Sequence, residues 1–199
     1  MGKKILLGGL LGGLTVFIWQ MISHMFIPWF HNSLNGFDNP KEVEAAIVKN
    51  VKGSGMYISP WLPHGAPEDK MTEAQKQMTE GFSIFASVHP NGKHGMAEAL
   101  PLQFGCNVIG AVLCTFILCQ FKQAGMGCRV GVVLFFALFA VTTSVIPNWA
   151  WWGHSPGFTG FLVFDHVVGW GLAGFVLAKL TLPKPEESAG EALEEAEAN

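Results

Sequence analysis

The segment Phe158–Leu180, FTGFLVFDHVVGWGLAGFVLAKL, decides the fold class of this chain. As a helix it would be about 35 Å long at about 1.5 Å per residue, which is enough to cross a bilayer. Asp165 and His166 lie side by side within it. A charged carboxylate in hydrocarbon costs about 2.5–3.5 kcal/mol or more, so a membrane helix keeps one only where a neighbouring helix or water compensates it. We therefore expect a polar partner for Asp165 on another helix.

The composition is that of an integral membrane protein. Hydrophobic residues make up 50% of the 199 residues and charged residues only 14%, against about 25% charge in soluble domains. Six of the fifteen acidic residues fall in the last fourteen positions, so the net charge of -3 says little about partners. The chain has no basic stripe of the kind that nucleic-acid binding needs, so we expect no nucleic-acid partner.

Three further apolar segments predict three more membrane helices. Residues 1–30 form the first, a signal anchor that is retained because no A-x-A-like cleavage site follows it. Residues 101–182 hold the other three, at 102–121, 130–146 and 158–180. The sequence therefore predicts an all-α integral membrane protein with a four-transmembrane-helix bundle.

Residues 31–100 have the composition of a small water-exposed insertion between helices 1 and 2. Helical patterns cover Pro40–Val51 and Met71–Glu80, and β-prone segments cover Met56–Ser59 and Phe82–Val88. The two strands could pair, which predicts a small α+β insertion. An acidic tail follows the bundle at 183–199.

The distribution of basic residues predicts the orientation. If four helices alternate, the flanking lysines and arginine share one side, and the opposite link 148–156 has none. Short cytoplasmic loops carry such an excess, so we expect both termini in the cytoplasm, the insertion outside it, and the lipid bilayer as a partner. The basic residues are Lys3, Lys4, Lys122, Arg129, Lys179 and Lys184, and the tryptophans expected at the membrane interfaces are Trp19, Trp29, Trp149, Trp151 and Trp152.

All four predicted helices carry polar side chains at a similar depth from the outer surface. At about 1.5 Å per residue, these depths run from roughly 4 Å to roughly 10 Å, whereas the inner half of each helix is almost purely apolar. A polar group that faces lipid costs free energy, so we expect these residues to face one another. The predicted layer, which is also a candidate ligand pocket, consists of Gln20, Ser23, His24, Asn107, Thr142, Ser144, Asp165 and His166. Asp165 is the member that we expect to face the bundle, with His24 or His166 as its partner.

The first helix also carries two overlapping G-x-x-x-G frames, Gly8/Gly12 and Gly9/Gly13. Small residues at this spacing let two helices approach closely. We expect them to contact another helix of the same chain, with a dimer interface as the alternative.

No motif identifies a cofactor. Copper(I) would suit His and Met side chains, and His24, His89 and His94 are candidate ligands, but no pair has a firm ligand spacing. Axial haem ligation by His24 is a weaker alternative. The chain lacks a P-loop and G-x-G-x-x-G after a strand, so no motif identifies an enzyme class, and an enzyme that acts on a lipid-soluble substrate stays an open alternative.

Four short motifs resemble a small family of bacterial inner-membrane proteins. They are Ser23-His24-Met25, Gly55-Met56-Tyr57, Asn148-Trp149-x-Trp151 and Asp165-x-x-x-Gly169-Trp170. The resemblance implies a four-helix protein of the bacterial inner membrane and implies no catalytic residue.

Two functions are consistent with these patterns. The first is a non-catalytic accessory or structural subunit of a larger bacterial membrane complex, with other membrane protein subunits as partners. The glycine frames and the tryptophan-rich outer rim favour it. The second is a small binding or transport protein whose outer-leaflet polar pocket around Asp165 holds a ligand, ion or metal. An interhelical network that only fixes helix order is the structural alternative to this pocket.

Overall fold

The computed structural model describes residues 1–93 and 95–183. Helix accounts for 71% of the described residues, which confirms the predicted helical class. The chain divides into two units, one formed by residues 1–34 with the chain from residue 96 onward, and one formed by residues 35–95. The elements are α1 (Gly2–Phe26), α2 (Pro28–Asn32), α3 (Pro40–Asn50), β1 (Gly55–Ser59), α4 (Glu68–Glu80), β2 (Ile84–Val88), α5 (Met96–Leu118), α6 (Met126–Ala140), α7 (Ile146–Trp152) and α8 (Pro156–Thr181).

The first unit is a helix bundle. Four of its helical stretches are long and apolar enough to span a membrane: Gly2–Phe26, Met96–Leu118, Met126–Trp152 and Pro156–Thr181. α1 packs against both α5 and α8, and α8 also packs against α6, whereas α5 and α6 make few contacts with each other. The bundle has two ends. At the first, which we call the polar end, the C-terminus of α1 lies with the N-terminus of α5. At the second, which we call the arginine end, the C-terminus of α5 lies with the N-terminus of α6.

The second unit contains α3, β1, α4 and β2. Its two strands pair antiparallel with Gly55 opposite Val88 and Ser59 opposite Ile84, as the sequence predicts. Tyr57 is hydrogen-bonded to the turn after α3, because its hydroxyl donates to the Gly53 carbonyl at 2.8 Å. Among the described residues of this unit, Ala74 is the only fully buried hydrophobic residue. The unit therefore has a very small core of its own.

The third apolar stretch does not end at Ile146, as its sequence predicts, but continues to Trp152. A π-helical turn at Val141–Val145 precedes Pro147, and the Ile146 N–H donates to the Val141 carbonyl. A proline cannot donate its own backbone hydrogen bond and clashes with the carbonyl four residues earlier. The wider π-turn accommodates this break without ending the helix. Gly153 then closes α7 in the left-handed conformation, at φ 68°.

The other boundaries also shift. α5 begins at Met96 and runs through Pro101, so the insertion ends at residue 95 rather than at residue 100. α8 begins at Pro156, where the Ser155 side chain accepts a hydrogen bond from the Phe158 N–H at 3.2 Å. Of the predicted acidic tail, residues 184–199 lie outside the described residues.

The glycines of α1 lie against other helices of the same bundle. Gly8, Gly9, Gly12 and Gly13 are all buried. A Cβ on Gly13 would lie 2.8 Å from Val108 Cα, so the two backbones of α1 and α5 approach too closely for a side chain. A Cβ on Gly12 would lie 2.8 Å from Leu177 Cδ2, which belongs to α8. The structure thus uses the two G-x-x-x-G frames for contacts within the chain.

Arg129 closes the arginine end. Its side chain is 1% exposed although arginine is almost never fully buried. Its guanidinium donates to carbonyls at and after the end of α5, where a helix leaves carbonyls unsatisfied and carries a partial negative charge. The acceptors are Leu118 O (2.8 Å), Ala124 O (2.7 Å), Lys122 O (3.3 Å), Phe121 O and Thr181 Oγ1 (3.1 Å). One side chain of α6 therefore ties α5 to α8.

Replacing Arg129 should destabilise the bundle strongly. Arg129→Met removes five hydrogen bonds of a buried guanidinium, among them those to the buried Leu118 carbonyl and Thr181 hydroxyl, so we expect the free energy of unfolding to fall by about 3 kcal/mol or more. Arg129→Lys keeps the positive charge but not the planar guanidinium, so it should lower the free energy of unfolding by less than Arg129→Met does. Unfolding in mixed detergent micelles measures the change. Lys179→Met, which removes an exposed charge of α8, is the control and should stay within about 0.5 kcal/mol. If Arg129→Met and Lys179→Met lowered the free energy of unfolding equally, this stabilising role of Arg129 would be contradicted.

Candidate functional site

Asp165 is buried between α8 and α1, and its partner is a serine rather than the predicted histidine. The Asp165 side chain is 2% exposed and Ser23 is 0% exposed. Ser23 Oγ donates to Asp165 Oδ1 at 2.5 Å. A hydrogen bond to a charged group contributes about 1.5–3 kcal/mol. Because Ser23 is fully buried, its hydroxyl cannot reach a substrate as a nucleophile and serves to orient the carboxylate.

His24 connects this pair to the main chain of α1. Its Nδ1 lies 3.0 Å from the Gln20 carbonyl and 3.1 Å from Ser23 Oγ. A carbonyl oxygen only accepts, so His24 Nδ1 carries the hydrogen. The imidazole ring also packs against the rings of Phe30, at a centroid distance of 4.8 Å, and Phe161, at 5.1 Å. These contacts hold the ring beside Asp165 and Ser23.

Three amide side chains form a second polar cluster, between α1 and α5. Gln20 Oε1 accepts from Asn107 Nδ2 at 2.8 Å and from Gln103 Nε2 at 3.2 Å. Gln103 Nε2 also donates to Asn107 Oδ1 at 3.1 Å. Gln20 belongs to both clusters, because its backbone carbonyl accepts from His24 while its side chain accepts from α5. One turn of α1 thus links α5 to α8.

The residues after Asp165 on α8 contact two different helices. Gly169 makes room for Trp19 of α1, since a Cβ there would lie 2.8 Å from Trp19 Cδ1. The Trp19 Nε1–H donates to the Asp165 backbone carbonyl at 3.1 Å. Trp170 lies against Gly110 of α5, where a Cβ would lie 2.5 Å from Trp170 Cη2. The motif D-x-x-x-G-W therefore places α8 against α1 and α5 at one level.

Two members of the predicted polar layer lie elsewhere. Thr142 and Ser144 are exposed, and their hydroxyls donate within their own helix, Thr142 to the Leu138 carbonyl at 2.9 Å and Ser144 to the Ala140 carbonyl at 2.5 Å. A hydroxyl that is satisfied by the preceding turn needs no partner on another helix. The expectation that all four helices contribute polar side chains to one layer is therefore wrong. Among the described residues, the polar side chains of this layer come from α1, α5 and α8.

The five tryptophans that the sequence places at membrane interfaces differ in their surroundings. Trp19 is not an anchor at an interface, since it packs inside the bundle against Phe164, with ring centroids 5.8 Å apart. Trp29 is 42% exposed and its Nε1–H donates to the Gly157 carbonyl at 3.0 Å. Trp149, Trp151 and Trp152 are exposed on α7.

The structure describes two of the three candidate metal ligands, His24 and His89. Among the residues that the structure describes, no group of three or more His, Cys, Asp or Glu side chains could hold a metal ion. His89 belongs to the unit of residues 35–95, where its Nε2 lies 2.9 Å from Ser87 Oγ. His94 lies outside the described residues.

A half-open cavity of about 1190 Å³ lies beside these clusters, between α1, α5, α6 and α8. Its polar lining comes from the two clusters and from His166, whose Nδ1 lies 3.0 Å from the Leu162 carbonyl. Its contribution from α6 is apolar: Phe136, Ala137 and Ala140. The cavity follows the α5–α6 side of the bundle, where these two helices make few contacts. It can hold a molecule with an apolar body and a polar group.

The predicted polar layer omits two residues that line the cavity, Gln103 and Trp170, and the sequence does not indicate the buried position of Arg129 at the arginine end. Gln103 was recognisable as a polar residue one turn before Asn107. Trp170 lines the cavity, and the glycine that makes room for it lies on another helix, so spacing along one helix could not reveal the pair. Arg129 carries no signal beyond a flanking charge, because four of its five acceptors are backbone carbonyls.

The four long apolar helices are those of a multi-pass membrane protein, and the site lies within their bundle. Comparison of the chain with protein-family models, with curated proteins and with solved structures gives no match. The resemblance to a small bacterial family therefore stays a prediction, and the site geometry alone supports a function.

A double-mutant cycle tests the Ser23–Asp165 hydrogen bond. Ser23→Ala and Asp165→Asn should together lower the free energy of unfolding by less than the sum of the single changes. We expect a coupling energy of about 1–3 kcal/mol, because the donor and a buried carboxylate act on each other directly. Unfolding in mixed micelles measures it. The cycle of Ser144→Ala with Asp165→Asn is the control, and its energies should add within about 0.5 kcal/mol. Additivity in both cycles would exclude the hydrogen bond as a stabilising contact.

Proposed function

We propose that this chain is a small-molecule-binding protein of a bacterial inner membrane, and that its ligand is lipid-soluble and lies in the cavity beside Asp165. The observation that carries the proposal is the cavity itself. A volume of about 1190 Å³ is of the size that binding sites for small organic molecules have. A structural network alone would need no such space, because helices that only pack together close onto each other.

The distribution of side chains in the cavity supports a ligand with two parts. Binding sites for organic molecules are mostly apolar, with a few polar groups that fix the orientation. The polar groups of the cavity, which include Gln20, Asn107 and Asp165, lie toward one end of it. Apolar side chains such as Leu113 and Ile117 line it further along α5. A ligand with a polar head toward the polar end and an apolar body toward the arginine end fits this pattern.

The α5–α6 side of the bundle supports access from the bilayer. Helices α5 and α6 are joined at the arginine end through Arg129, and they make few contacts elsewhere. A lipid-soluble molecule could therefore reach the cavity between them without crossing water.

The orientation and location are part of the same proposal. The basic residues of the bundle, including Lys3, Lys4, Lys122 and Lys179, flank its arginine end, which supports a cytoplasmic location for both termini. Residues 35–95 would then be extracytoplasmic. The exposed tryptophans of α7 support an interfacial position for the polar end.

A neutral photoactivatable probe tests the proposal. A long-chain alkyl alcohol with a diazirine on its chain, added to the protein in lipid nanodiscs, should label cavity-lining residues of α5 and α6, mapped by mass spectrometry. Ala140→Trp fills part of the cavity and should reduce this labelling several-fold. Phe139→Trp is the matched control, because Phe139 is the preceding residue and is 60% exposed outside the cavity. Labelling that is the same in both variants would place the probe in bulk lipid and contradict the proposal.

An accessory subunit of a larger membrane complex remains the second candidate. The open α5–α6 side favours it, because a helix of another subunit could also cover these apolar surfaces. Gentle extraction from native membranes followed by size-exclusion chromatography measures the outcome. We expect the chain to elute with stoichiometric partner subunits if this function holds. A monodisperse particle of this chain alone would contradict it.

A further inference from the structure

Asp165 is the only acidic side chain that lines the cavity among the described residues, and no lysine or arginine among them lines it. Oδ1 of Asp165 accepts from Ser23. Oδ2 accepts no hydrogen bond from the part of the chain that the structure describes, and the carboxylate forms no ion pair there. A buried carboxylate with one oxygen that accepts no hydrogen bond is a site for a positive charge from elsewhere.

The two imidazoles of the cavity add acceptors to this carboxylate. His24 Nδ1 and His166 Nδ1 each lie 3.0 Å from the carbonyl four residues earlier, so each Nδ1 carries the hydrogen. The other ring nitrogen, Nε2, then presents a lone pair in the neutral ring. A ligand head that carries several N–H donors matches this set, as a primary ammonium group does.

The aromatic lining also suits a cation. Phe17 and Trp170 line the cavity with Asp165. The face of an aromatic ring attracts a cation, and Trp does so most strongly. The apolar residues of α5 and α6 supply the surface for a hydrophobic body, so the cavity combines a carboxyl group, aromatic rings and an apolar groove.

We propose that the ligand of this cavity is a lipophilic cation, an amine with an apolar body, whose ammonium group pairs with Asp165. The proposal rests on the proposed function, since it names the class of molecule that the same cavity takes. The carboxylate oriented by Ser23 selects for positive charge, and the apolar groove selects for lipid solubility. No covalent chemistry is involved.

A matched pair of probes tests the charge. The two probes have the same diazirine-bearing alkyl chain, and one ends in a primary ammonium group whereas the other ends in a hydroxyl group. Both are titrated into the full chain in zwitterionic nanodiscs, and labelling of cavity residues is measured against probe concentration. We expect the ammonium probe to half-saturate at a concentration about 30-fold lower than the alcohol, because the pair with Asp165 is buried.

Variants of Asp165 test whether this residue causes the preference for the ammonium probe. Asp165→Asn should raise the half-saturating concentration of the ammonium probe about 30-fold and change that of the alcohol less than about 3-fold. Asp165→Glu keeps the charge and should restore part of the preference. Asp38→Asn, which removes an exposed carboxylate in residues 35–95, is the control and should change neither probe.

The outcomes separate the two proposals. If both probes label the cavity with equal affinity in the unmodified protein, the cation proposal is overturned while a neutral ligand stands. If Asp165→Asn weakens both probes equally, Asp165 shapes the cavity and does not select charge, which also overturns it. If neither probe labels the cavity, the proposed function falls together with this inference. The comparison of probes in the unmodified protein needs no variant, so it decides the matter even where Asp165→Asn is unstable.

Discussion

Four glycines on one side of α1 set how closely this helix lies against its neighbours, and the rest of the bundle depends on that approach. Gly13 has no space for a side chain beside the α5 backbone, and Gly12 lies against Leu177 of α8. Because α1 touches both helices in this half, its other half carries Gln20 toward α5 and Ser23 toward α8. Hydrogen bonds reach only about 3 Å, so the polar clusters exist because the backbones are close.

The sequence reveals the depth of the polar residues but not the direction in which they point. Asp165, Gln20 and Asn107 are predicted at similar depths, and the structure joins Asp165 and Asn107 to α1 through Ser23 and Gln20. The depth of Asp165 does not identify its partner, because Ser23 and His24 are adjacent in sequence and point about 100° apart around the helix. A small error in the rotation of α1 exchanges them. Counting residues along a helix cannot resolve that difference, whereas helix packing does.

Interactions with the backbone were the hardest to foresee. Thr142 and Ser144 are satisfied by the turn of helix that precedes them. Arg129 is satisfied by carbonyls that every sequence possesses, so its role leaves no pattern. Pro147 is a similar case, since a π-turn lets the helix continue through a residue that ordinarily ends one. The long apolar helices, the two paired strands and the glycine frames were predictable because they depend on composition and period.

Arg129 and Asp165 also give the bundle an electrical axis. The guanidinium lies at the arginine end and is neutralised by dipoles rather than by an acid of the described chain, and the carboxyl group of Asp165 lies toward the polar end. A membrane potential acts on charges separated along its direction, by about 2.3 kcal/mol for each elementary charge that crosses 100 mV. In the proposed orientation the arginine faces the negative interior, so the membrane potential favours this arrangement of the two groups. A cation that binds Asp165 cancels one pole of this axis, which makes the occupied and empty proteins respond differently to voltage.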